Sequence, residues 1–262
     1  VTDPVAALEV RDLTLRFGAV AALWEVGFSV DEGELFAVIG PNGAGKTSLF
    51  NLLSRVYEPT RGTLRLFGDD MGRLRPHQLA GAGIARTFQN LGLFLQQSVL
   101  DNVLVGREHL MHAGSVRAGL FVPGARAEEA ANRHAALGAL EFVGLADVAA
   151  RPVGLLPYGV QKRVELARAL AMEPRLLLLD EPVAGMSRAE RAEVSDLVRA
   201  IHAERGLTVV LVEHDMGFVM SLAERVLVLD FGRVIALGTP AEVQSDPTVV
   251  AAYLGEVAEA PA

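Results

Sequence analysis

Hydrophobic and polar positions change their period several times along this chain, and each change marks an element. Residues 8–17, LEVRDLTLRF, alternate roughly between apolar and polar, as do residues 24–30, WEVGFSV. A period of two predicts two half-buried strands, here joined through Gly18 and a run of small residues. Leu35-Phe36-Ala37-Val38-Ile39 is apolar throughout and predicts a strand buried on both faces. Ser48 to Leu53 reads as the opening turns of a helix, and Thr63 to Phe67 as a third strand of an antiparallel patch after the turn Pro59–Gly62. Helical spacing then takes over at 98–112 and 125–145, with Gly114–Gly124, which contains Pro123, as a looser link. The middle third is therefore expected to be a helical insertion between two α/β portions. A helix at 158–172 ends before Pro174, and Leu176–Leu179 predicts a fully buried parallel strand that runs into Asp180 and Glu181. A helix at 188–205, a strand at 207–212, a helix at 216–224 and a hairpin (226–229 and 234–237) follow. The tail after Asp246 reads as a short helix through Tyr253 and Leu254, then a frayed acidic end.

Composition narrows the class. The chain has 262 residues, 51% hydrophobic and 21% charged, enough for one large α/β domain or a core with a subdomain. A net charge of −8 argues against a nucleic-acid partner, which favours a basic face. With no cysteine, disulfides and thiolate metal sites are excluded. No apolar run reaches the ~18–20 residues that span a bilayer, and no basic region with an apolar signal core opens the chain. The expected location is cytosolic, with any membrane work done by docking to a partner.

The clearest chemical signal is GPNGAGKT, Gly40 to Thr47, which fits GxxxxGK(S/T) at every fixed position. It lies between a predicted buried strand and a predicted helix, as the pattern requires. Gly40, Gly43 and Gly45 let the backbone wrap an anion with several N–H groups pointing inward. The helix N-terminus adds about half a positive charge, Lys46 adds a full one, and the Thr47 hydroxyl suits Mg²⁺. Other signals are weaker. Asp230-Phe231-Gly232 spells a kinase signature, yet no HRD loop accompanies it and it joins two short strands. His109 and His112 are spaced like a ligand pair, without a third ligand, and read as a solvated helix face. Phe17, taken alone, reads as core packing, with base stacking as the functional alternative.

Four features stand in order: the phosphate loop, Gln89 at the end of GIARTFQ, the segment LPYGVQKRVELARAL, and LLLLDEP followed by His214. Over essentially its whole length the chain resembles the ATP-binding cassette (ABC) ATPases. The resemblance implies an α/β fold: a P-loop NTPase ABC ATPase core with an antiparallel β subdomain and an inserted α-helical subdomain. The implied division is 1–89 for the β subdomain and first part of the core, 90–156 for the helical subdomain, 157–240 for the rest of the core, and 241–262 for a C-terminal helix and tail. ATP and Mg²⁺ are the implied cofactors. Asn42, Gly43, Ala44, Gly45, Lys46, Thr47 and Ser48 would surround the phosphates, and Phe17 would stack on adenine. Thr47, Gln89 and Asp180 would hold Mg²⁺, Glu181 would polarise the attacking water, and His214 would contact the γ-phosphate. Such chemistry needs positioning and charge neutralisation more than covalent help.

In these ATPases an LSGGQ segment reaches across a head-to-tail dimer to the partner's γ-phosphate. Here Leu156-Pro157-Tyr158-Gly159-Val160 stands in its place. Pro157 brings neither hydroxyl nor N–H, so Gly159 N–H and the helix dipole are left to face the phosphate. Ser187 stands where an aspartate is usual. This asymmetry points to a heterodimer with a second, different ABC ATPase subunit, a homodimer being the alternative. RFGAVAALWEVGFSV, IGPNGAGKTSLFN, ARTFQN, the PYG segment, LVEHDMGFVM and VVAAYLGE are most similar to the ATPases of branched-chain amino acid importers. The alternatives are urea or amide importers and the ATPase of a lipid or lipopolysaccharide exporter. The implied partners are transmembrane permease subunits and, indirectly, an external solute-binding protein, with the chain peripheral on the cytoplasmic face of the membrane. The apolar cluster Leu91, Leu93 and Phe94 is expected near the permease groove.

Overall fold

The computed structural model describes residues 6–87, 92–111 and 123–258. Two long strands open the chain, β1 (Ala6–Phe17) and β2 (Val20–Asp31), paired antiparallel from Ala6↔Asp31 to Phe17↔Val20. The small residues expected to link them are themselves the start of β2; the connection is only Gly18-Ala19. β3 (Leu35–Ile39) runs into α1 (Lys46–Leu53), and β4 (Arg61–Leu66) and β5 (Asp69–Asp70) complete a four-stranded sheet in the order β2-β1-β4-β5. β6 (Ile84–Arg86) is a strand that the periodicity could not predict, because three residues are too few to display it.

Next come α2 (Val99–Val105), α3 (Pro123–Phe142) and α4 (Tyr158–Ala171). The chain continues through β7 (Leu176–Asp180), α5 (Arg188–Arg205), β8 (Thr208–Val212) and α6 (Met216–Leu222). It closes with β9 (Arg225–Asp230), β10 (Arg233–Gly238), α7 (Pro240–Ser245) and α8 (Pro247–Ala258). The second sheet has the order β10-β9-β3-β8-β7-β6, all parallel except the edge strand β10.

Both faces of this sheet are covered, which explains its unbroken apolar strands. Leu177 and Leu179 of β7, with Ala37 and Leu211, enter one core with the helices α2 to α6. Leu176 and Leu178, with Val38 and Val210, enter a second core with α1 and the four-stranded sheet. Alternate residues point to opposite faces, so the four leucines divide two and two. The apolar stripe of α5, Val194, Val198 and Ile201, recurs at the spacing of a helix lying on one face.

Three boundaries differ from expectation. The helix expected over 98–112 stops at Val105; the Gly106 that follows is pressed against α4, where a Cβ would sit 2.4 Å from the Arg168 carbonyl oxygen. A short 3-10 turn, Glu108–Leu110, follows. The link expected to run to Gly124 ends earlier, since Pro123 already belongs to α3; a proline's fixed φ suits a first helical position. Finally, α7 precedes the predicted C-terminal helix. Its start is set by Thr239, whose side chain accepts the Glu242 N–H while Glu242 accepts the Thr239 N–H.

Candidate active site

The strand register brings the candidate residues together. β3, β8 and β7 lie side by side, with Val38 opposite Val212 and Val212 opposite Asp180. The three carboxyl ends thus share one edge, the place where parallel α/β sheets bind ligands. From that edge leave the phosphate loop after Ile39, Glu181 after Asp180, and Glu213-His214 after Val212.

The loop is shaped by glycines at positions where a side chain cannot fit. Gly45, which precedes α1, has φ +104, and a Cβ there would lie 2.7 Å from the Ala22 carbonyl oxygen. Gly40 has φ +152, with the Leu229 carbonyl oxygen 2.1 Å from where its Cβ would be. The β9–β10 turn braces the loop from outside, as Gly232 N–H donates to Ala44 O at 2.9 Å and Trp24 N–H to Gly232 O at 2.8 Å. Lys46 Nζ donates to Gly40 O at 2.6 Å and Pro41 O at 2.8 Å, so the ammonium lies over its own loop. A cleft of about 480 Å³ opens here, lined by Asn42–Ser48, Val20–Ala22, Glu181, Phe231 and Gly232. Exposed N–H groups at a helix start, a lysine and a threonine hydroxyl form an anion cradle of triphosphate kind.

Asp180 is buried at the end of β7 and accepts Arg86 Nη2–H at 2.7 Å, both side chains being under a tenth exposed. Arg86 also donates to Asn51 Oδ1 at 2.9 Å, to the Phe50 carbonyl at 3.3 Å and to the Ser54 hydroxyl, all on or next to α1. Sequence reasoning passed over Arg86; the only available signal was a cation three residues before Gln89. Glu181 has φ +47, an uncommon backbone for a residue with a side chain, and its N–H donates to Val212 O at 2.9 Å. Functional sites hold such conformations when surrounding bonds enforce them. The donors fit Mg²⁺, a hard ion held through one or two carboxylates plus phosphate oxygens. Thr47 and Asp180 offer hard oxygens, and among the described residues no cluster of three or more acidic, histidine or cysteine side chains forms a self-sufficient metal cage.

His214 follows Glu213 with its ring mostly exposed, and its Nδ1 lies 3.4 Å from Glu213 Oε2. Next in sequence, Asp215 caps α6 by accepting the Phe218 N–H at 2.9 Å. That bond, together with the Arg191 guanidinium, holds its carboxyl below the ordinary aspartate range. Gln89 lies outside the described residues, as do His112 and Leu91. His109 has its Nδ1 3.1 Å from the Gly106 carbonyl. Phe17 is half exposed at the end of β1, its ring edge-on to Tyr57 at 5.2 Å.

The segment Pro157-Tyr158-Gly159 stands apart from the phosphate-loop cleft and forms the start of α4. Pro157 is the cap residue, one position earlier than the helical position a proline most favours, and supplies no side-chain cap bond. Tyr158 is exposed. Gly159 faces Glu190 of α5 so closely that a Cβ would meet Glu190 Oε1 at 2.7 Å. Glu190 also closes a capping box with Ser187, whose hydroxyl and N–H lower its pKa. Ser187 is therefore a helix cap.

A parallel sheet with a phosphate loop, an acidic strand end and a histidine on one edge defines a P-loop ATPase. Residues 23–184 match the family model for ABC transporters, and the chain belongs to that family. Residues 233–259 match the model for the branched-chain amino acid ATP-binding cassette transporter. The chain is 41% identical over 250 residues to the high-affinity branched-chain amino acid transport ATP-binding protein BraF of Pseudomonas aeruginosa, covering 95% of this chain and 98% of that one. It is 37% identical over 249 residues to LivG of Escherichia coli, a protein of the same description, with the same coverage. The fold superposes on the ADP conformation of an ATP-binding cassette of an ABC transporter with TM-score 0.83 and 30% identity, over 95% of this chain and 99% of that one. The chain is thus an ATP-hydrolysing, nucleotide-binding cassette, and no helix among the described residues is long and apolar enough to cross a membrane.

Proposed function

We propose that this chain energises the uptake of branched-chain amino acids, as one of two ATPase subunits beneath two membrane-spanning permease subunits. The observation that carries this reading is the single sheet edge that holds the phosphate loop, Asp180, Glu181 and His214, in a chain similar to BraF and LivG along nearly its full length. Asn42–Ser48 bind the phosphates, and Lys46 leaves its loop carbonyls to meet them. Phe17, which offers an exposed ring, stacks on the base. Thr47 and Asp180, with Gln89, would hold Mg²⁺, which when bound would supply neutralisation of phosphate charge. Glu181 orients and polarises the attacking water, and His214 contacts the terminal phosphate. The cleft that would hold ATP borders no residue of 156–161, which supports the use of Pro157-Tyr158-Gly159 in a partner cassette's site. The lack of a serine in that segment supports a second cassette of different sequence, a homodimer being the alternative.

A groove of about 780 Å³ supports the permease part of the reading. It is lined by Val56, Leu79, Arg86, Phe94, Val105 and Met172, among others, and is mostly apolar. Phe94 is half exposed there, while Leu93 packs against the core. A short amphipathic helix on the cytoplasmic side of a permease fits such a groove. The placement of the chain on the cytoplasmic face follows from this docking. The division at residues 89, 156 and 240 belongs to the same proposal, with the groove running between the first two parts.

The test is a tagged pull-down from native membranes in mild detergent, followed by leucine uptake in proteoliposomes loaded with ATP. Two multi-span proteins, a second cassette and ATP-dependent uptake are expected. Lipid-transport partners with a single cassette type, or uptake of urea or amides in place of leucine, would redirect the assignment.

A further inference from the structure

Glu213 is a buried carboxylate without an assigned role. It follows β8, its side chain is 0% exposed, and it lies beside His214. A carboxylate in such a place is costly unless its oxygens are hydrogen-bonded, and here both are. Oε1 accepts the Val183 N–H at 3.2 Å. Oε2 accepts the His214 N–H at 2.7 Å and the Asp215 N–H at 3.2 Å.

These bonds join two separate loops. Val183 lies two residues beyond Glu181, on the loop leaving β7, whereas His214 and Asp215 lie on the loop leaving β8. A second link runs in parallel, from Glu181 N–H to Val212 O at 2.9 Å. Glu181, with φ +47, makes one link itself and lies two residues before the other. A residue in that region stays there only when its neighbours over-determine it. A serine or threonine in place of Glu213 has one oxygen and cannot span both loops. A glutamine turns its amide N–H₂ against one of the two donor sets.

We propose that Glu213 is a positioning residue that fixes Glu181 relative to His214, so that base and phosphate contact act on one terminal phosphate. The inference rests on the roles given to Glu181 and His214 above. Glu213 is buried and does not line the phosphate-loop cleft, so it governs the rate of the chemical step and leaves ATP affinity alone. This sets it apart from Lys46, whose loss would cost binding.

The experiment compares the assembled complex holding the unaltered chain with the same complex holding its Glu213→Gln variant. Single-turnover ATP hydrolysis and the affinity for a fluorescent ATP analogue are measured on both. The expected result is a hydrolysis rate constant lower by about tenfold or more, in the range seen when one catalytic orienting contact is lost, with affinity within about twofold. A rate within about threefold of the parent, or an affinity that falls in step with the rate, would overturn the proposal. Native-state hydrogen exchange on the unaltered chain gives a reading that needs no variant to fold. The Val183 N–H is expected to be protected like its strand neighbours; free exchange there would show that no bridge exists. If the unaltered chain hydrolyses no ATP in any assembly, the ATPase roles of Glu181 and His214 fail, while the exchange result still judges the bridge.

Discussion

At the residue scale, the site depends on a few positions where no other side chain fits. Gly45 combines φ +104 with the Ala22 carbonyl 2.7 Å from its absent Cβ. Gly45→Ala is expected to cost about 1–3 kcal/mol in backbone strain alone and to abolish nucleotide binding, read by equilibrium titration with a fluorescent ATP analogue. Glu181 belongs to the opposite class, since the role proposed for it lies in its side chain, which lines the cleft. Glu181→Gln is expected to retain ATP and lose turnover by about two to four orders of magnitude, the range for a general base, read by phosphate release. Near-normal turnover in that variant would remove Glu181 from its role. The position of Glu181 at the sheet edge was legible in the sequence, from its place after a buried leucine strand. Arg86 and Glu213 were not. Each is a charged residue whose partner is distant in sequence, and a linear pattern carries no trace of such a pairing.

At the element scale, caps decide where the helices that carry the site begin. Asp215 caps α6 directly after His214, so its side chain ties the histidine's loop to a helix start. Asp215→Ala is expected to lower stability by about 1 kcal/mol, the usual cost of a lost cap, measured by urea unfolding. The same carboxylate sets an acid dependence. Its native pKa is lowered, first by the Phe218 N–H bond, from an ordinary value of 3.8. Its contribution is therefore complete above that value, declines as pH falls below it, and is gone below the lowered native value. The variant's deficit should shrink across the same window. Most helices were readable from their spacing, whereas the six-residue α7 and the helix ends were not. α2 stops where Gly106 meets the Arg168 carbonyl, a contact between helices that the local sequence cannot announce.

On the scale of the whole molecule, two surfaces stand apart. The nucleotide cleft opens on the carboxyl edge of the six-stranded sheet, and the apolar groove lies beside Arg86, Phe94 and Val105. Arg86 connects them, because it lines the groove and pairs with Asp180, the residue before Glu181 of the cleft. Phe94→Asp places a charge in the groove without touching the cleft. Co-purification with the membrane subunits is expected to fall at least tenfold while ATP-analogue affinity stays within about twofold, since a charge buried without a partner opposes docking. Equal loss of both would mean that the groove residue supports the fold rather than the partner.

The sequence by itself determined most element types, the α/β class, the phosphate loop and the order of the motifs. These rest on period, turn chemistry and glycine placement, all of which act between near neighbours in the chain. Only the tertiary structure decided which strands lie side by side, and thereby that Val38, Val212 and Asp180 stand in one row. It also decided that Arg86 meets Asp180 and that Glu213 reaches Val183. Residues 94 and 30 apart in the chain come within hydrogen-bonding distance there, because strand register converts separations along the chain into adjacency.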